Sequence, residues 1–480
     1  MFLKRSQGVL SPIKYRVWVF FILIITVRFN SMKVKNIALI LLPSCLFTFG
    51  AHANNWENIF KENSFVADSE LELSTRNMWK YLKSENRFDA NEQRYRKQVA
   101  QAWGQNIQLD YQSGYFADFI GFDASYYGAI KLAASKDFAS RAILYNDDGE
   151  AKGYNKIGQR YAKFKFDFEP VNVKGKAGWF TLKNTGIFTN SQRLSLNAYN
   201  GYYTNTALSD WNLDLLYLDG KVMRRDSPNI DRMYFRDGNG VTHDINHVVT
   251  GGINYDTKPL KVAYFIGQAD DVFRQQGLEV KYKLNSDITL SSQIYGHEYG
   301  SDGKRTSNST KRGKQNFDKR AWHYAGEVQW KVPETPWTLT TGLTHTTAHK
   351  TNGVGQFARN PIGNTRGRFN SPAYADIDYV RDGETMLELK AEYRVNSALS
   401  VGANSNYSEF SYSGERLRQG QVGLFSYWKP TENLSVSLSG GMGWHHQQES
   451  DNSTPKLYDG ESRRAHSLSG SMTTTYRFKM

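Results

Sequence analysis

Cations recur at alternate positions in several short segments of this chain: Lys163 with Lys165, Lys174 with Lys176, Lys281 with Lys283, and Lys390 followed by Arg394. Successive side chains of an extended strand point to opposite faces, so this spacing puts the members of each set on one face. Cations arrayed in this way suit the electrostatic handling of anions rather than bond-making. A narrow, water-filled passage with low-dielectric walls concentrates the field of its lining charges, so a few lysines and arginines can select solutes there. These eight residues are the expected basic ladder of a substrate pathway. Asp167, Glu279, Glu388 and Glu392 share their strand segments, and Glu327 lies in a similar alternating segment of its own. They would keep any single site shallow and give a zwitterion its opposite wall.

Catalytic chemistry has weaker support. His445 and His446, followed by Glu449 and Asp451, come nearest to an acid/base set. Adjacent strand residues face opposite ways, which keeps the two imidazoles from converging on one substrate, and no catalytic residue is assigned. His243 and His247 have the four-residue spacing of a helical metal pair. Gly238, Gly240, Gly251 and Gly252 around them favour strand and turn instead. No metal is assigned and no cofactor is expected.

The elements that would position the ladder are strands with two different faces. Leu387, Leu389, Ala391, Tyr393 and Val395 alternate with Glu388, Lys390, Glu392 and Arg394. Ala162, Phe164, Phe166 and Phe168 alternate with Lys163, Lys165 and Asp167; Leu278, Val280, Tyr282 and Leu284 alternate with Glu279, Lys281 and Lys283. Many such segments of about ten residues, with aromatic ends and Gly/Asn/Asp turns between them, are the signature of a closed transmembrane β-barrel. One face meets lipid and the other water. A mean hydropathy of −0.60 argues against a helical membrane protein and is compatible with a barrel whose interior is polar. Aromatic residues, 14% of the chain, suit interfacial girdles as well as lumen lining.

Export explains the remaining composition. Met32 opens a secretory signal, with Lys33 and Lys35 before the apolar run 37–49 and Ala51-His52-Ala53 as a cleavage site. The expected organisation is an upstream extension, 1–31, read as a start-codon artefact; a signal peptide, 32–53; and one outer-membrane barrel, 54–480. Cys45, the single cysteine, follows Leu42-Pro43-Ser44 in a faint likeness of a lipidation box, but the cleavage site after it favours simple removal. The first 53 residues carry seven Lys/Arg and no Asp/Glu, so the net charge of +13 falls to +6 for residues 54–480. Those charges are spread along alternating strands, which argues against nucleic-acid binding. The basic tract 304–319 reads as a solvated outer loop. The first strand is expected to begin with Phe65-Val66-Ala67-Asp68-Ser69, and the last, 468–480, to alternate through Leu468, Met472, Tyr476 and Phe478.

Five blocks, in order, resemble the OprD family of substrate-selective outer-membrane porins. They are Phe65-Val66-Ala67-Asp68-Ser69; Leu109-Asp110-Tyr111-Gln112-Ser113-Gly114-Tyr115 with Gly121-Phe122-Asp123; Gly178-Trp179-Phe180 with Asn190-Ser191-Gln192-Arg193-Leu194; Phe265-Ile266-Gly267-Gln268-Ala269; and the block 374–393 containing Arg381-Asp382. The fourth leans toward chitoporin-like relatives and the fifth toward the carboxylate channels. The resemblance implies an all-β, antiparallel barrel of 18 strands, with 16 as the neighbouring even count. It also implies that the third outer loop folds inward opposite the basic ladder. The candidate loop is 183–203, with Asn190, Gln192, Arg193 and Tyr199 near the constriction.

The function implied is passive diffusion of small anionic or zwitterionic nutrients, carboxylates or amino acids, across the bacterial outer membrane. Uptake of neutral sugars or chitooligosaccharides is the alternative and would use stacking on Tyr161, Tyr199, Tyr202 and Tyr295. An outer-membrane hydrolase is a distant third. Expected partners are outer-membrane lipid and lipopolysaccharide, small solutes and the barrel-assembly machinery, with the porin a monomer or loose homotrimer.

Overall fold

Side-chain alternation becomes a difference in environment once the strands are paired. Leu387 and Leu389 are about half exposed on the outside of the sheet, whereas Glu388 between them is only 4% exposed on its inner face. The computed structural model describes residues 64–89, 94–135, 143–147, 150–189, 193–222, 232–236, 242–301, 316–357, 377–449 and 454–479. All belong to one compact unit, 61–480. The extension, signal peptide and cleavage site expected from the sequence lie outside the described residues, as do Asn190, Gln192 and most of the tract 304–319.

A short helix, α1 (Ser64–Ala67), precedes β1 (Glu70–Asp89), β2 (Arg94–Gln112) and β3 (Ile120–Ala134). Next come a small hairpin, β4 (Tyr145–Asp147) and β5 (Glu150–Lys152), and then β6 (Tyr154–Phe168), β7 (Val171–Phe180), β8 (Ala198–Leu208) and β9 (Trp211–Val222). A second hairpin, β10 (Met233–Arg236) and β11 (Thr242–Ile245), leads to β12 (Val248–Asp256), β13 (Leu260–Ala269), β14 (Phe273–Lys283) and β15 (Ile288–Tyr299). The chain continues through β16 (Arg320–Lys331), β17 (Trp337–Thr347), β18 (Thr385–Arg394), β19 (Leu399–Tyr412), β20 (Glu415–Trp428) and β21 (Leu434–His446). A third hairpin, β22 (Leu457–Tyr458) and β23 (Glu461–Ser462), precedes β24 (Arg464–Lys479).

Eighteen of these strands form one antiparallel sheet, each beside its neighbour in this order, and β24 pairs with β1 to close it. Closure leaves no strand edge in the hydrocarbon, where an unpaired peptide group has no water to satisfy it. The three small hairpins stand outside the sheet, in the long loops at one end. Short connections such as 169–170, 209–210 and 395–398 join the strands at the other end, which carries both ends of the sheet and is therefore the periplasmic one.

Phe168, Trp211, Tyr282, Trp337, Trp428 and Phe478 face outward near the periplasmic ends of their strands, and Trp103, Tyr217, Tyr324 and Tyr407 do so nearer the outer ends. These are the two interfacial girdles, with Leu, Val and Ile between them. Several rings also cover a glycine directly opposite them. Phe164 lies over Gly175, Phe265 over Gly277, Phe425 over Gly402 and Trp444 over Gly420. Each ring shields backbone that a glycine would leave bare.

Two expectations from the sequence need correction. Phe65, Val66 and Ala67 are helical rather than part of the first strand, which begins at Glu70. The helical turn is fixed by contacts that sequence periodicity does not contain: Ser64 Oγ donates to the Tyr115 carbonyl, and Gly114 N–H donates to the Phe65 carbonyl. The candidate loop is also shorter than 183–203, because residues from Ala198 onward pair with β9. It runs over 181–197.

Candidate functional site

The described parts of the loop after β7, 181–189 and 193–197, pack against inner-face residues of the wall beyond the β7–β8 hairpin. Gly178 and Gly201 face each other across this hairpin with φ of +119° and +147°. A Cβ at Gly178 would lie 2.7 Å from the Arg160 carbonyl oxygen, and one at Gly201 would lie 2.0 Å from that of Tyr217. Only glycine combines this backbone with so close an approach. Beyond the hairpin, Ile187 N–H donates to Thr250 Oγ1 on β12 at 3.0 Å, and the Thr250 hydroxyl donates in turn to the Ile266 carbonyl at 2.8 Å. On the returning limb, the Arg193 carbonyl accepts from Arg76 Nη1 on β1 at 2.7 Å, and Tyr154 and Ser195 share a hydroxyl contact of 2.7 Å.

The expected loop residues occupy different positions along this path. Arg193 lies on the returning limb and is half-buried. Tyr199 belongs to β8 and is buried beneath the loop, its ring 4.9 Å from Phe188. Asn190 and Gln192 fall outside the described residues.

The expected ladder residues are brought together in one place only. Lys163 on β6 stands directly opposite Lys176 on β7, and Lys165 directly opposite Lys174. Residues facing each other across antiparallel strands share a face of the sheet. Lys163 Nζ pairs with Asp123 Oδ1 at 2.8 Å and donates to the Ser113 carbonyl at 2.7 Å, its stem passing over Gly121. Lys165 pairs with Asp118, and both amines lie about 5 Å from the Tyr115 ring. Lys176 Nζ sits 4.9 Å from the Tyr161 ring, whose hydroxyl donates to Asp123 at 2.6 Å.

The other four cations lie elsewhere around the wall. Lys281 and Lys283 are on β14, five pairings on from β7, with Lys261 opposite Lys281 and tied to Asp256 at 2.6 Å. Lys390 and Arg394 are on β18, four pairings farther. Lys390 is 3.5 Å from Glu392 and 4.9 Å from the Phe425 ring. Seven of the eight occupy the periplasmic half of their strands, and Lys176 lies just past the middle of β7. Arg76 and Thr250 were not singled out from the sequence, and Asp123 entered only as part of a family block, with no role of its own. Arg76 and Asp123 fall within strand segments, and Thr250 is a neutral residue that nothing in its spacing marks.

A separate polar cluster lies at the outer end of β18–β21. Glu384, which precedes β18, is fully buried and accepts from Ser408 Oγ, Gln419 Nε2 and the Arg381 backbone N–H. Burial raises its pKa, because the Arg381 guanidinium, 3.7 Å away, only partly offsets the loss of water. His445 and His446 are both buried. The His446 ring is held between the Arg418 carbonyl and Ser462 Oγ, and His445 Nδ1 lies against the His446 carbonyl.

A closed barrel with an inward loop and lysines on its inner wall is the geometry of a diffusion channel. The family profile described as outer membrane porin, OprD family, matches residues 63–353, more than half of the chain. The chain belongs to the OprD family. This porin is therefore an outer-membrane channel. Its fold is similar to that of Pseudomonas aeruginosa OccK8 (OprE), with a TM-score of 0.64 and 16% identity over 87% of this chain and 100% of that one. Acinetobacter baumannii OccAB3 gives 0.61 and 18% identity over 86% and 100%. Pseudomonas aeruginosa OpdK with vanillate gives 0.62 and 15% identity over 87% and 100%. No curated protein matches the chain.

Proposed function

We propose that this porin carries small organic anions and zwitterions, carboxylates and amino acids, down their gradients through the lumen. The observation that carries this reading is the double row of Lys163 opposite Lys176 and Lys165 opposite Lys174 on one inner wall. Asp123 and Asp118 compensate one lysine in each row, so a carboxylate meets attraction at Lys174 and Lys176 without a site deep enough to trap it. The fold of OpdK with vanillate, a carboxylate, is consistent with such use of this barrel. The sugar alternative is not favoured by its own residues. Tyr202 faces outward at 64% exposure, while Tyr199 and Tyr295 are buried at 1%.

The test is reversal potential in planar bilayers under a salt gradient, for the porin and for Lys174→Glu with Lys176→Glu. The expected result is anion preference in the parent, block by carboxylates, and a swing toward cations in the double variant. Unchanged selectivity in that variant would sink the reading.

A further inference from the structure

We propose that the outward wall of β24, β1 and β2 is an interface at which a second copy of this chain docks, with Asn77 and Gln105 at its centre. Leu73, Thr75, Asn77 and Trp79 of β1 share the outer face with Trp103, Gln105 and Ile107 of β2, whereas Met78 and Asn106 are buried on the inner face. Leu73 lies opposite Phe478 in the periplasmic girdle, and Trp79 lies opposite Trp103 in the outer one. Asn77 and Gln105, directly opposite each other, therefore fall between the girdles. Elsewhere that band of the wall is aliphatic, as at Leu213 and Leu215, which stand between Trp211 and Tyr217 on β9.

Hydrocarbon offers an amide no partner, so polar hydrogens on this face must be met by protein. Asn77 Nδ2 donates to Gln105 Oε1 at 2.9 Å, and Trp103 Nε1 donates to Asn77 Oδ1 at 2.8 Å. Gln105 Nε2 donates to Thr75 Oγ1 and to the Asn106 carbonyl. The second Nδ2 hydrogen of Asn77 and the hydroxyl of Thr474, which stands opposite Asn77 on β24, have no partner among the described residues. An amide is donor and acceptor at once. Copies in one membrane share orientation and depth, so a patch lying on the axis of a cyclic assembly meets its own counterpart at the same level. A second copy thus brings the matching acceptors, which acyl chains lack and which an unrelated barrel need not carry at that depth. Trp79, stacked on Tyr81 at 6.1 Å and lying over Gly470, gives the patch a flat aromatic flank of the kind that anchors interfaces.

The test is cross-linking by a short bis-maleimide in outer membranes. One variant is Ile107→Cys, at the edge of the patch; the other is Ile266→Cys, outward on β13 and eight pairings from β1. The parent, whose one cysteine is Cys45, is the background. Ile107→Cys is expected to give a species of two linked chains, with Ile266→Cys no higher than the parent. Adding Asn77→Leu with Gln105→Leu to Ile107→Cys is expected to abolish that species, with heat-modifiable migration verifying a closed barrel. The proposal is overturned if Ile107→Cys links no better than Ile266→Cys, if it links to a protein of another mass, or if linking survives the leucine pair. Should the leucine pair fail to close, the comparison of Ile107→Cys with Ile266→Cys decides alone. None of these readouts uses permeation, so they stand apart from the solute reading.

Discussion

Asp123 serves two partners that differ in charge. It accepts the Tyr161 proton at 2.6 Å and pairs with Lys163 at 2.8 Å, so one carboxylate both orients a ring and cancels an amine on the inner wall. Lys176, resting against that same ring, keeps no such close counter-ion among the described contacts. Asp123→Asn should therefore free the Lys163 charge and increase anion selectivity, read as a larger reversal potential at low salt. If the value did not move, Lys163 would not be contributing to the field in the passage. The lysines themselves were legible in the sequence because alternation assigns a face to every strand residue. Their counter-ions were not, since Asp123 meets Lys163 only through the β3–β6 pairing, and Asp118 lies in a turn where alternation stops. Arg76 escaped for a similar reason. Its partner is a carbonyl more than a hundred positions away, and no periodicity encodes that contact.

The element scale explains which segments were readable. A strand exposed to lipid on one side and water on the other announces itself through composition, and the 18-strand count followed from that pattern together with the resemblance. Loop boundaries are set by where pairing ends, and Ala198–Leu208 continued as strand where the sequence suggested loop. Several glycines within strands had a use that composition alone could not show, because Gly175, Gly277, Gly402 and Gly420 are each matched to a ring on the neighbouring strand. Gly277→Val would place its Cβ 2.3 Å from Cζ of the fully buried Phe265 and force that ring off its seat. Overpacking of this kind costs about 1–3 kcal/mol. The expected outcome is a lower temperature for loss of the compact band on detergent gels, with the strand content by circular dichroism intact at room temperature. An unaltered transition would mean that the ring moves without cost.

For the whole molecule, the uneven placement of charge matters more than its sum. Seven of the eight expected ladder cations sit in the periplasmic half of their strands and Lys176 near mid-wall, whereas the outer half of β18–β20 presents neutral and acidic groups such as Glu388, Asn406 and Gln421. On the proposed function, an anion arriving from the periplasmic side would meet this attraction early in its passage, and one arriving from outside would meet it late. Currents through oriented single channels should therefore rectify at low salt, and the asymmetry should fade as ionic strength rises and the Debye length falls below about 10 Å. Symmetric currents at all salt concentrations would show that the half-wall bias does not reach the permeating ions.

Arg76 lies directly opposite Thr475 in the pairing of the first strand with the last, and its side chain is shared between that threonine and the loop. This couples the aperture to time. The bond to Thr475 cannot exist until the chain's two ends have met, so the returning limb gains its full brace only at the end of assembly. The Nε side of the guanidinium is braced only where the sealed wall brings the last strand beside the first, whereas its bond to the loop through Nη1 needs the first strand and the loop alone.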